Sequence, residues 1–300
     1  MGIYILRLVW QRERCVESER NRRRNLLGYD IRPAERHQHH ADSRWLVSLS
    51  ATTGSDVCEQ PDMSTGLIVQ DFGGAHNADL GKTRARLIKG GSWKKQRIVV
   101  VLPADAMIPA KVALSHWNLA FPPNNGVIRI LAQGMEVGDA YSTAIAQVLA
   151  HPELSQWEYI LTIEHDNMPP GDGILRLLER MEEHPEFACI GGLYFTKGEG
   201  GVAQIWGDVK DPIPNFRPQL PDPNGGLVEC CGTGMGFNLF RMKLFRDPQL
   251  RRPWFVTQKK DGVATQDLYF WGDARKYGYR CAIDCSVKVG HYDHSQDVVW

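Results

Sequence analysis

The sequence predicts an α/β protein built on a mixed, mostly parallel β-sheet flanked by helices. Three observations predict it. From about Gln96 onward, short apolar runs alternate with stretches of helical period, the pattern of strand and helix units that build an open sheet. The run RIVVVLP (97–103) is β-branched almost throughout, as strands buried on both faces of a parallel sheet are. A third run, EYILTI (158–163), ends abruptly in Glu164, His165 and Asp166. That places charge just past the carboxyl end of a central strand, the edge at which such sheets bind ligands.

The elements follow in order. After the strand at 97–103, a helix is expected over about 109–120 and a second strand at GVIRIL (126–131). In GDAYSTAIAQVLAHP, Ala140, Tyr141, Ala144, Ile145, Val148 and Leu149 recur at helical spacing until His151-Pro152 stops them. The strand at 158–163 comes next, then a helix marked by Ile174, Leu175, Leu177, Leu178 and Met181, then a strand FACIGGLYF. Residues 196–227 are rich in Gly and Pro without period, as lids and binding loops often are. ECCGTGMGFNLFRMKLF reads as a glycine-rich turn running into a strand or a helix. A helix over about 265–277, closed by Gly278, and a strand RCAIDCSVKVGH end the pattern.

Upstream, the composition changes. Residues 1–62 contain many Arg but no Lys, a block RNRRRN and a cluster HQHH, without a sustained hydrophobic period. Such a segment cannot offset its chain entropy by apolar burial, so it is expected to be disordered, or not part of the working protein if the true start is Met63. Residues 63–94 then lead into one domain over 95–300. The 35 basic residues balance 35 acidic ones, which argues against a nucleic-acid or membrane surface as the main partner. No stretch approaches the roughly 20 apolar residues of a membrane span, and MGIYILRLVW is a poor signal peptide. Seven cysteines, an odd number with Cys230 and Cys231 adjacent, suit reduced thiols, so a cytoplasmic protein is expected.

Several clusters can carry chemistry. In extended chain Glu164 and Asp166 point the same way, about 7 Å apart, and can converge on one divalent cation; oxygen ligands suit Mg²⁺ or Mn²⁺. The plainer alternative is a solvated turn capping the next helix. In VGHYDH, His291 can complete a metal shell if its strand returns beside the acidic turn. A rival zinc set of Cys281, Cys285, His291 and His294 is opposed by spacing, since Cys281 and Cys285 lie about 13 Å apart in a strand. Asp267, in the helix start Thr265-Gln266-Asp267, can stabilise the helix dipole or act as a general base. CCGTGMG permits close backbone approach but lacks the GxGxxG spacing. Trp206 and Trp254 can stack on a sugar ring or pack down their loops.

Taken in order, VVVLP, TIEHDNMPP, GGLYF, GTGMGFNLFR, TQDLYF and VGH resemble a GT-A (Rossmann-like) glycosyltransferase of the family-2-like type, with phage and bacterial members, over about residues 95–294. The resemblance implies that Glu164-His165-Asp166 matches the family's DxD motif, with Glu164 in place of the first Asp. This motif binds the metal and the nucleotide-sugar diphosphate. It also implies that Asp267 matches the catalytic base of inverting members, with Gln266 in place of the usual Glu, and that His291 matches a further metal ligand. GDAYS stands where many relatives have an Arg-Asn pair touching the nucleotide. Donor-binding positions are then Pro103, Ala104, Glu164, Asp166 and Gly234. The implied cofactor is Mn²⁺ or Mg²⁺, the donor a nucleotide-sugar with UDP-sugars foremost, and the acceptor a hydroxyl on glycan, lipid, protein or modified nucleic acid. Two other classes fit the same carboxylates: a metal-dependent phosphohydrolase or nucleotidyltransferase, and a non-catalytic nucleotide-sugar-binding protein.

Overall fold

A computed structural model describes residues 74–211, 215–257 and 265–300, with 74–80 described by backbone alone. The expected extension at 1–62 and the lead-in up to residue 73 lie outside the described residues. In chain order the elements are α1 (Gly74–Lys89), β1 (Ile98–Ala104), α2 (Ala110–Trp117), β2 (Val127–Gln133), α3 (Val137–Ala150), β3 (Tyr159–Ile163), β4 (Asn167–Met168) and α4 (Gly173–Glu183). They continue with β5 (Phe187–Leu193), β6 (Ile205–Trp206), β7 (Leu227–Cys230), β8 (Gly232–Thr233), β9 (Phe237–Arg241), α5 (Met242–Arg246), α6 (Gln266–Ala274), β10 (Arg280–Lys288), β11 (Gly290–Asp293) and β12 (Val298–Val299).

Among the described residues the central sheet has seven strands in the order β2-β1-β3-β9-β5-β10-β7. Strands β2, β1, β3, β5 and β10 run one way, and β9 and β7 run against them. The continuous apolar runs have the expected cause. Every residue of β3 and β5 is buried, because helices cover both faces of the sheet. On one face Val99, Val101 and Ile160 pack with Ile145 and Val148 of α3, Phe245 of α5 and Phe270 and Trp271 of α6. On the other, Val100, Leu161 and Ile190 pack with Ile174, Leu178 and Met181 of α4. β2 alternates between burial and exposure because it is an edge strand. Burial on this scale, at about 25 cal/mol per Å² of apolar surface, is the main force holding the layers together.

Two local features differ from the sequence reading. The glycine-rich stretch near 230 is a set of short strands, β7 and β8, and β9 inserts antiparallel between β3 and β5. The chain enters β9 through the turn 234–236 from β8, which pairs with β6 outside the main sheet. The last strand, read as one run to His291, breaks at Val289, whose N–H donates to the Leu193 carbonyl at 2.8 Å. Beyond the break, β11 leaves the main sheet and pairs antiparallel with β4, His291 facing Asn167.

Candidate active site

The carboxyl ends of β1, β3, β5 and β10 lie along one edge, and the sequence places most of its unusual residues there. β3 stops at Ile163, which pairs with Phe237, so the turn 234–236 arrives beside Glu164; the Glu164 N–H donates to the Gly236 carbonyl at 3.2 Å. The acidic turn is pinned from several sides. His116 Nε2 donates to the Asn167 carbonyl at 2.8 Å and Ser115 Oγ to the Pro169 carbonyl at 3.0 Å, both from α2. The Tyr292 N–H donates to the Asp166 carbonyl at 2.7 Å. Glycine is required in 234–236 because a Cβ on Gly234 or Gly236 would collide with Tyr194, whose hydroxyl accepts from the Gly236 N–H at 2.9 Å.

Charge is arranged unequally across this turn. Asp166 Oδ2 meets both Lys197 Nζ, at 2.6 Å, and His291 Nε2, at 3.3 Å. Burial opposes ionisation of Asp166, but the hydrogen bonds and charges of His291 and Lys197 outweigh it and hold the carboxyl well below its usual range. Glu164 behaves in the opposite sense. Burial, then the negative charges of Asp166 and Asp267, push its pKa up to about 8 against the Tyr141 hydroxyl and Lys197. The Tyr141 hydroxyl lies 3.3 Å from Glu164 Oε1.

His291 is oriented by its backbone partner. Its Nδ1 lies 2.7 Å from the Phe195 carbonyl, which can only accept, so Nδ1 donates to it. Nε2 is therefore the ring nitrogen turned to Asp166 Oδ2, 3.3 Å away, and the two are placed as neighbouring ligands of one cation would be. Asp267 sits in the first turn of α6 and is only 7 % exposed. Burial raises its pKa, although the Thr265 hydroxyl and the Leu268 N–H, the latter at 2.7 Å, both donate to Oδ1 and oppose the shift. α6 is anchored by Trp271 Nε1, which donates to Thr233 Oγ1 at 3.2 Å.

Pro103 and Ala104 are buried at the carboxyl end of β1, where the Ala104 carbonyl accepts from the Gly134 N–H at 3.1 Å. Asp166 and His291 are in direct contact, and Glu164 lies within electrostatic reach of Asp166 and Asp267. Gly234 is buried against Tyr194 and Gln204. Among the described residues no three His, Cys, Asp or Glu side chains converge closely enough to hold a metal by themselves. The residues that could hold a cation together with a bound phosphate are the Asp166 and His291 pair with Glu164 beside it. This suits Mg²⁺ or Mn²⁺, which bind through one or two protein groups plus phosphate and water. The zinc alternative does not assemble: Cys281 is buried with its Sγ 3.9 Å from Cys230 Sγ, and His294 packs near Tyr292. Trp254 is buried edge-on against Phe245, and Trp206 Nε1 donates to Gln204 at 3.2 Å. The sequence reading missed Tyr141, Tyr194, Lys197 and His116 as site residues. Their roles depend on contacts between distant segments, and no local spacing signals them.

No family model matches the chain, and no curated protein matches it. Among solved structures, A197 from STIV is similar over 68% of this chain and 93% of its own, with a TM-score of 0.50 and 14% sequence identity. GalNAc-T7, solved with UDP, GalNAc and Mn²⁺, is similar over 65% of this chain and 44% of its own, with a TM-score of 0.46 and 10% identity. The chain has a GT-A-type, Rossmann-like fold, so the resemblance read from the motifs holds at the level of the fold.

Proposed function

We propose that the chain is a metal-dependent glycosyltransferase that moves a sugar from a nucleotide-sugar, UDP-sugars foremost, to an acceptor hydroxyl with inversion. The observation that carries the reading is the approach of His291 Nε2 to Asp166 Oδ2, 3.3 Å at the ligand-binding edge, with a second acidic side chain, Glu164, beside them. Asp166 and His291 are the residues that would hold the cation, with Glu164 able to join them. When bound, that cation supplies positive charge to the diphosphate leaving group.

Asp267 is assigned the proton. Its Oδ1 is fixed by Thr265 and Leu268, which leaves Oδ2 to accept the acceptor's hydroxyl proton as that oxygen attacks the anomeric carbon. Burial makes Asp267 more basic than a solvated aspartate, as a general base requires. The new bond is acceptor oxygen to anomeric carbon, the broken bond is anomeric carbon to phosphate oxygen, and the nucleoside diphosphate departs. The described cysteines are free thiols, which supports work in a reducing compartment such as the cytoplasm.

A panel of nucleotide-sugars with Mn²⁺, read by thermal shift and by slow nucleoside diphosphate release, tests the reading. One donor class should raise the melting temperature and be turned over, and excess chelator should stop both. Binding without turnover would leave a passive binder, and turnover that ignores chelator would remove the metal from the mechanism.

A further inference from the structure

Resting on the metal and diphosphate reading above, we propose that Lys197 holds the place of the cation in the donor-free protein and moves to the diphosphate when the donor arrives. One oxygen, Asp166 Oδ2, carries both the Lys197 ammonium at 2.6 Å and the His291 imidazole at 3.3 Å. A divalent cation held by Asp166 and His291 must approach that same oxygen. An ammonium and a dication a few ångströms apart repel strongly in a half-buried site, so one excludes the other.

The chain around Lys197 allows the exchange. Its backbone is fixed, because the Thr196 N–H donates to the Val202 carbonyl and the Val202 N–H to Thr196 Oγ1, each at 2.9 Å. Gly198 (φ 98°) and Gly200 (φ 72°) turn the loop between those bonds in conformations that favour glycine. The Lys197 side chain is about one third exposed and has four carbons of reach, so the ammonium can swing while its anchor stays still. The titratable groups around it are Asp166, His291, Glu164 and, further out, Asp293. Of these only His291 is basic, and its Nδ1 is held by the Phe195 carbonyl at 2.7 Å, so the long, exposed Lys197 side chain is the one able to reach a diphosphate.

Charge balance gives the movement a purpose. Cleaving the anomeric bond leaves the departing diphosphate with one more negative charge than the bound donor had. An ammonium released into the same cleft can meet that developing charge, the situation in which an oriented cation contributes most.

The test measures Mn²⁺ binding without nucleotide, by electron paramagnetic resonance, and UDP binding at saturating Mn²⁺, by calorimetry. Wild type is compared with Lys197→Met and Lys197→Arg. Lys197→Met should bind Mn²⁺ roughly 10-fold tighter, having lost the competitor, and UDP roughly 10-fold weaker. Lys197→Arg, which keeps the charge, should resemble wild type in both. Should the Met variant fail to fold, Lys197→Gln makes the same comparison. Unchanged or weaker Mn²⁺ binding in the neutral variant, or unchanged UDP binding, overturns the proposal while the metal reading stands. A wild-type protein that binds no Mn²⁺ even with UDP present overturns both.

Discussion

At Asp166 a single carboxylate oxygen serves a lysine and a histidine, while Glu164, two positions away, is held close to neutral. The difference is environmental and can be measured. Glu164 rises from its ordinary 4.5 to about 8 in the fold. Its contribution to stability is therefore complete below about 4.5 and is lost as pH rises through about 8. Asp166 has the opposite sign, stabilising above its unfolded value and losing that contribution on acidification. In chelator, Glu164→Gln should melt ~5 °C above wild type at about pH 9 and level with it at about pH 5. Parallel melting curves across that range would refute the assignment. For Asp267, replacement by Asn removes the base while keeping its shape, and transfer should fall by roughly 100-fold or more; full activity would remove Asp267 from the proton's path. The acidic turn itself was legible from an apolar run ending in charge. Tyr141 was not, because it reads as one more apolar position in a helical period, and only the packed fold shows its hydroxyl against Glu164.

At the scale of elements, α1 is tied to α4 by charge rather than by a large apolar face. Arg86 Nη1 lies 2.6 Å from the fully buried Asp172 and Arg86 Nε lies 3.1 Å from Glu179, while Arg176 approaches Asp172 only to 3.6 Å. Arg86→Met should cost about 2 kcal/mol in urea denaturation, less than the loss of a lone buried pair because Arg176 remains. A change near zero would show that α1 contributes nothing to α4. β1, β3 and β5 were legible because burial on both faces leaves an unbroken apolar run, and α4 because its apolar residues recur at helical spacing. The direction of β9 was not, since GFNLFR reads the same whichever way the strand runs. The break at Val289 was equally silent: it is fixed by a hydrogen bond to Leu193, almost 100 positions earlier. That break decides the site, because it carries His291 to the acidic turn.

For the molecule as a whole, the described residues contain no helix long and apolar enough to cross a membrane. The GT-A-type sheet collects the acidic turn, His291 and Asp267 at one edge. Adding Mn²⁺ with UDP should raise the melting temperature of wild type by several degrees and that of Asp166→Ala by far less, through binding to the folded state alone. An equal rise in both would move the cation elsewhere. In the proposed reaction the donor breaks at the anomeric carbon, which donor hydrolysis in water labelled with heavy oxygen would reveal. Label is expected in the released sugar, with inverted anomeric configuration, and none in the nucleoside diphosphate. Label in a phosphate group would refute the reading and make the protein a phosphohydrolase.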